Sequence, residues 1–468
     1  MFENRPKHQT PTFGYALFVV IILMMIILGG YKVMGAPVNI MFCIAWMFLF
    51  PACMYLGYSY QEINNAVLDQ CRKGLTGVFI IVSVGAVIAA WIACGCVPAL
   101  IYYGLGIISP KFFLLTTFLL CAIISGATGT SWGAAATGGM AMFAIGESMG
   151  VPTAMTVGAI ASGALFGDMV SPLSDSANIA AISVGSDLMK QCKETIIIAI
   201  PSFLVTGGIY TIMGFQYAGN TYDESYIMEV HAAISGLYHV GIIAFIPLII
   251  LCVLLFKKVP AMFAMLISAL TGGVIAIFYQ GLPYNKILTF MWSGYKIACE
   301  NEFVSTLLNR GGMTSMFNTA VMSLFVYGVI GCLNKVGVLD VLITPLVNKA
   351  KGVFSLAVIT EIISAIGVCF GHGGVAMLLA GTVMAPAYKS EKLDPMNLAK
   401  VSSAISVPWN AVIPWTTSSI YFLGLFGISS VAYFPYFIFA IVNPLMALLF
   451  VALHIHEIPL KEKELETE

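Results

Sequence analysis

Residues 13 to 30 read FGYALFVVIILMMIILGG and residues 39 to 57 read NIMFCIAWMFLFPACMYLG; neither run carries a charged side chain. A bilayer core about 30 Å thick is crossed by a helix of roughly 20 apolar residues, and runs of this kind recur along the chain. Hydrophobic residues make up 59% of the sequence, charged residues only 9%, and mean hydropathy is +0.95. An ordinary soluble domain is about 45–50% apolar. The expectation is an all-α polytopic membrane protein whose surroundings are the lipid bilayer.

Helices are expected at 13–30, 38–57, 75–97, 151–183, 191–217, 241–256, 260–280, 314–334, 396–424 and 431–453, with interruptions inside 151–183 and 396–424. That makes ten crossings. Two further stretches, 111–148 and 353–388, are apolar at both ends but hold SGATGTSWGAAATGG and GVCFGHGGVAMLLAG near their middles. Irregular backbone is tolerated at membrane depth only inside protein or beside a wet cavity. Each stretch therefore reads as a re-entrant hairpin, or as two spans joined by a tight turn; the topology is the same either way.

The first run is long and has no small-residue cleavage site after it, so an uncleaved helix is expected rather than a signal peptide. With ten crossings, sixteen of the lysines and arginines fall on the side of the termini, against Lys32, Lys111, Lys286 and Lys296 opposite. Basic residues concentrate on the cytoplasmic side. Both termini are expected in the cytoplasm, in a bacterial-type cell membrane. A net charge of −1 without a basic tract offers nothing for nucleic acid. The close pair Cys94 and Cys96 lacks the second pair and the histidines of a zinc site.

The halves match at a constant shift. Gly95 and Gly337, Gly129 and Gly371, Asp168 and Asn410, and Pro172 and Pro414 are each 242 positions apart. Five crossings per copy would insert the second copy upside down. Inverted repeats with broken helices are the sequence pointer to a secondary transporter. The expected organisation is a first repeat at 1–217, an extracytoplasmic loop at 218–240, and a second repeat at 241–468.

Scarce charges concentrate at the breaks. The segment GDMVSPLSDSANIA, 167 to 180, holds Asp168 and Asp175, and an ionised aspartate at the bilayer centre costs about 2.5–3.5 kcal/mol even on the lenient insertion scale. Pro172 removes a backbone donor and frees carbonyls, while Ser171, Ser174, Ser176 and Asn178 add oxygen. Such a hard, oxygen-rich set suits Na⁺, and a carboxylate there can exchange Na⁺ for H⁺. The tip of the first hairpin supplies Thr128, Thr130 and Ser131, with helix N-termini that favour anions.

The second copy is neutral: VPWNAVIPWTTSSIYF has Asn410 where the first has aspartate, followed by Thr416, Thr417, Ser418 and Ser419. With Gly371 and His372 at the second tip, these donors suit an organic carboxylate. His372 also titrates near physiological pH when unperturbed. Arg310 in NRGGMTS is a candidate carboxylate partner, and Glu361 lies in an apolar arm without an obvious partner. No HExxH, GxSxG or Walker A string is present, so an enzyme is not expected. No cofactor is expected beyond Na⁺ and H⁺ as coupling ions.

ATGTSWG, followed by SGALFGDMVSPLSDSANIA and then NRGGMTSMFNT, resembles the NhaC family of sodium/proton antiporters over nearly the whole chain. The resemblance implies two hairpins and two broken helices in a transport unit, an elevator motion against a scaffold, and a homodimer. It also implies an ion site formed by Thr128, Thr130, Ser131, Asp168, Ser171, Asp175 and Asn178. Within the family the sequence is most similar to the malate/lactate branch, which implies malate uptake with protons against lactate release with sodium.

Overall fold

The computed structural model describes residues 9–107, 109–216, 224–257, 259–297, 305, 308–309, 311–347, 352–369 and 372–460. Over these residues the protein is helical, with one isolated bridge between Leu393 and Pro459. Among the described residues six helices are long and apolar enough to cross a membrane: Gly74–Ala93, Pro110–Thr128, Thr153–Val170, Leu188–Phe215, Ala261–Phe278 and Met313–Val336. Two bent pairs, Met228–Leu237 with Ile242–Phe256 and Thr417–Phe426 with Ser430–Tyr436, bring the number to eight if each is one span. Shorter apolar helices at Phe13–Ile27, Asn39–Tyr55 and Ile438–Ala452 occupy three more of the expected crossings.

The helix expected at 75–97 is longer at its N-terminal end, running Tyr60–Ala93. Its polar first turns follow from a capping box: the Ser59 side chain accepts from the Glu62 N–H, and the Glu62 carboxylate accepts from the Ser59 N–H. This long helix packs against Ala261–Phe278 and Phe317–Val336. A helix at Glu224–Leu237 occupies most of the segment read as an extracytoplasmic loop, and Tyr284–Ser293 and Cys96–Ile107 are further helices that the apolar pattern had not separated.

A second group of helices surrounds the breaks. Phe113–Thr128 turns at Gly129 into Ser131–Ala134, which continues through a π-helical turn at Ala135–Gly139 to Met140–Ser148. Phe113–Thr128 packs along Thr153–Val170, and small residues allow the close approach. A Cβ on Gly167 would stand 2.5 Å from the Gly126 nitrogen and 2.6 Å from the Ala122 carbonyl oxygen. In the second half Val353–Cys369, Gly373–Ser390 and Met396–Trp409 pack on one another, and Thr417–Phe426 packs on Phe317–Val336 and the long helix. Left-handed backbone recurs at the 242-residue shift: Gly95 with Gly337, Gly150 with Lys392, and Gly185 with Gly427 all have φ between +57° and +85°.

Candidate functional site

Thr153–Val170 ends where Pro172 removes a backbone donor, and Ser171 turns to an extended conformation. The chain re-enters a helix at Asp175–Ser183, capped by Ser174, whose hydroxyl accepts from the Ser176 N–H at 3.0 Å. Asp168 therefore sits on the last turn before the break and is 8% exposed. Three hydroxyls donate to its carboxylate: Ser174 to Oδ1 at 2.5 Å, and Ser131 and Ser176 to Oδ2 at 3.0 Å and 3.2 Å. Charge-assisted bonds of this kind are worth about 1.5–3 kcal/mol each, enough together to hold a carboxylate away from bulk water.

Ser131 reaches Asp168 because Gly129 turns the hairpin tip in the left-handed region, at φ +72°. A Cβ there would stand 2.6 Å from the Leu173 backbone carbon. The tip is thus pressed against the break, and only glycine fits both constraints.

The break of the second half spans Asn410 to Thr416. Its contacts repeat those of the first at the same shift. The Thr416 hydroxyl donates to the Asn410 backbone carbonyl at 2.5 Å, the Gly373 N–H to Asn410 Oδ1 at 3.4 Å, and Asn410 Nδ2 to the Ser418 hydroxyl at 2.9 Å. Gly373, Thr416 and Ser418 stand 242 positions after Ser131, Ser174 and Ser176. His372 caps Gly373–Ser390: the Gly374 N–H donates to Nδ1 at 3.0 Å, which leaves the hydrogen of a neutral ring on Nε2.

A cavity of about 570 Å³ joins the two breaks. Thr128, Thr130, Ser131, Asp168, Asp175, His372, Asn410 and Ser418 line it, and Thr76, Gly77 and Ile80 of the long helix close one side. Asp175 is exposed, and its charge lies close enough to Asp168 for the two to repel. A cation between them offsets that repulsion.

Four other candidates serve the local backbone. Ser171 donates to the Gly126 carbonyl at 2.7 Å, Thr128 to Ile124 at 2.8 Å and Asn178 to Ser174 at 2.9 Å, while Thr416 also donates to Ile413 at 2.7 Å. Thr130 lines the cavity and caps the Gly133 N–H at 3.3 Å, and Thr417 accepts from Asn410 at 3.5 Å. Gly371 and Arg310 lie outside the described residues.

One side chain at the centre of this arrangement had carried no expectation. Trp132, next in sequence to Ser131, donates its indole N–H to the Ser418 hydroxyl at 3.0 Å and stacks on Tyr421 with ring centroids 4.5 Å apart. The Tyr421 hydroxyl donates back to the Trp132 carbonyl at 2.9 Å. Ser418 accepts from both Trp132 and Asn410, which fills its two lone pairs. Its own hydrogen is left to donate into the cavity, from the first turn of Thr417–Phe426, where the helix dipole favours an anion. Chemically, one wall offers a cation a carboxylate and hydroxyl oxygens; the other offers an anion neutral donors.

The sequence model of the Na⁺/H⁺ antiporter family matches residues 163–455. The chain is 34% identical over 429 residues to the malate-2H⁺/Na⁺-lactate antiporter of Bacillus subtilis (strain 168), covering 92% of each chain. It is 31% identical over 428 residues to an uncharacterized Na⁺/H⁺ antiporter of Haemophilus influenzae, covering 90% of this chain and 91% of that one. It is 29% identical over 442 residues to the Na⁺/H⁺ antiporter NhaC of Alkalihalophilus pseudofirmus, covering 94% and 95%. A match of this extent, across both breaks and the cavity between them, makes this chain a multi-pass membrane protein of the Na⁺/H⁺ antiporter family.

Proposed function

We propose that this protein is a secondary antiporter of the cell membrane that couples Na⁺ efflux to H⁺ uptake while exchanging small carboxylates, malate inward and lactate outward. The observation that carries the reading is Asp168, buried beneath three serine hydroxyls on one wall of a cavity whose other wall presents the neutral Asn410, Ser418 and His372. Na⁺ or H⁺ neutralises the carboxylate in turn. The carboxylate substrate takes the Ser418 hydrogen and the His372 Nε2 hydrogen.

The charge balance favours this cycle. A malate dianion with two protons and a lactate anion with one Na⁺ are both neutral, so neither direction works against the membrane potential. The reading takes the halves as inverted repeats, each with a re-entrant hairpin and a broken helix. The contacts and left-handed residues that recur 242 positions apart support it. Both termini lie in the cytoplasm, and a homodimer works by an elevator motion of the transport unit.

A plain Na⁺/H⁺ antiporter without an organic substrate is the second reading, favoured by the self-sufficient cluster around Asp168. Sodium efflux from loaded vesicles separates the two. External malate against internal lactate should accelerate efflux severalfold; efflux that ignores both carboxylates leaves the plain antiporter.

A further inference from the structure

Glu361 lies near the middle of Val353–Cys369, the apolar arm leading to the second tip, and is 7% exposed. Among the described residues its buried Oε1 has no hydrogen-bond partner and it joins no salt bridge. Leaving an isolated carboxylate there costs several kcal/mol, and a bound proton removes that cost.

A crevice approaches it through Tyr388. Val353–Cys369 packs against Val338–Val347, Gly373–Ser390, Met396–Trp409 and Ile438–Ala452. On these helices Tyr388 lies near enough to the carboxyl for their charges to interact. The Tyr388 hydroxyl meets Thr360, the residue before Glu361, at 3.2 Å; Thr360 donates to Leu356, so Tyr388 is the donor. Tyr388 also lines a crevice of about 20 Å³ with Asn397, Lys400, His456 and Glu457. A single water needs about 10–15 Å³, so the crevice has room for one.

The crevice mouth is ionic. Lys400 Nζ lies 3.6 Å from Glu194 Oε2, His456 Nε2 lies 2.9 Å from the same oxygen, and His454 pairs with Glu457 at 2.7 Å. Residues 458 to 460 fold back onto 392 to 397, with the Asp394 N–H donating to the Ile458 carbonyl at 2.9 Å and the Leu460 N–H to the Lys392 carbonyl at 2.9 Å. The ionic groups of the mouth are therefore tethered at one end of a crevice whose inner wall includes Tyr388.

We propose that Glu361 is a second proton-binding site, separate from Asp168 and discharged through the Tyr388 crevice. On uptake the proton binds a carboxylate oxygen of Glu361 while the site faces outward, and leaves to crevice water at the cytoplasmic end. Resting on the antiporter reading, this assigns the two protons of a cycle to different side chains.

The test uses the full-length protein in liposomes, with radioactive sodium and an entrapped pH dye read together. Wild type sets the ratio of protons to sodium ions. Glu361→Gln should lower that ratio by half and make exchange respond to an imposed potassium diffusion potential, because one charge is then left uncompensated. An unchanged ratio and continued indifference to potential would overturn the assignment. Wild type that exchanges no Na⁺ for H⁺ sinks the antiporter reading instead. Independently of transport and of the folding of Glu361→Gln, infrared difference spectra of purified Asp168→Asn should retain a protonated-carboxyl band that responds to pH, with slower response in Asp168→Asn combined with Tyr388→Phe. Loss of the whole band with Asp168 removes the second site.

Discussion

Asp168→Asn separates ion binding from structural support. In the native site Oδ1 accepts from Ser174, while Oδ2 accepts from Ser131 and Ser176. An asparagine that keeps Oδ1 toward Ser174 turns an NH₂ group toward the other two hydroxyls, so two charge-assisted bonds are lost, about 3–6 kcal/mol together. Removing a buried charge at membrane depth returns about 2.5–3.5 kcal/mol. The variant should therefore lie between about 0.5 kcal/mol more stable and about 3.5 kcal/mol less stable, and should still fold. Its response to sodium should change far more. A ligand at 100 times its dissociation constant stabilises the folded state by about 2.7 kcal/mol, and that increment should vanish. Thermal unfolding in detergent, titrated with NaCl against choline chloride at constant ionic strength, reads both effects. An Asp168→Asn protein that is still stabilised by sodium as the wild type is would refute the site.

Trp132→Phe keeps the ring against Tyr421 but removes the donor to Ser418, a bond worth about 0.5–1.5 kcal/mol; the half-saturating carboxylate concentration should rise about 2- to 10-fold with sodium affinity unchanged, measured by uptake titrations. Gly129→Ala forces a Cβ into the Leu173 backbone at positive φ, and should lower both the unfolding temperature and sodium affinity, since the tip carries Ser131. Ser171→Ala removes a bond to the Gly126 carbonyl and should cost about 1 kcal/mol of stability without altering the sodium dependence of transport. Asn410→Asp puts a charge on the neutral wall and should abolish stimulation by carboxylates in vesicle efflux while sodium-induced stabilisation persists.

Much of this was legible in the sequence because lipid imposes strict rules. Apolar runs marked the helices, and aspartates too costly to leave at bilayer depth marked the break at Asp168. The start of the long helix was missed: the polar turns that follow the capping box from Ser59 to Glu62 broke the apolar pattern and hid it. Choosing among the hydroxyls was beyond pattern reading: Ser174 and Ser176 reach Asp168, while Ser171, equally close in sequence, bonds Gly126. That choice depends on where Pro172 directs the chain. The pairing of Trp132 with Ser418 spans 286 residues, and no local spacing encodes it. Asp175 reads like Asp168 in sequence, yet its place at the first turn of a helix leaves it exposed.

Ser131 and Trp132 are adjacent, and consecutive Cα atoms are held about 3.8 Å apart by a planar peptide. Any retreat of Ser131 as its aspartate is neutralised must therefore drag the indole and loosen its grip on the far side. On the proposed assignment the two sites share one peptide unit and would feel each other without any relay of side chains between them, so a transporter so built would have little means of moving one passenger unnoticed by the other.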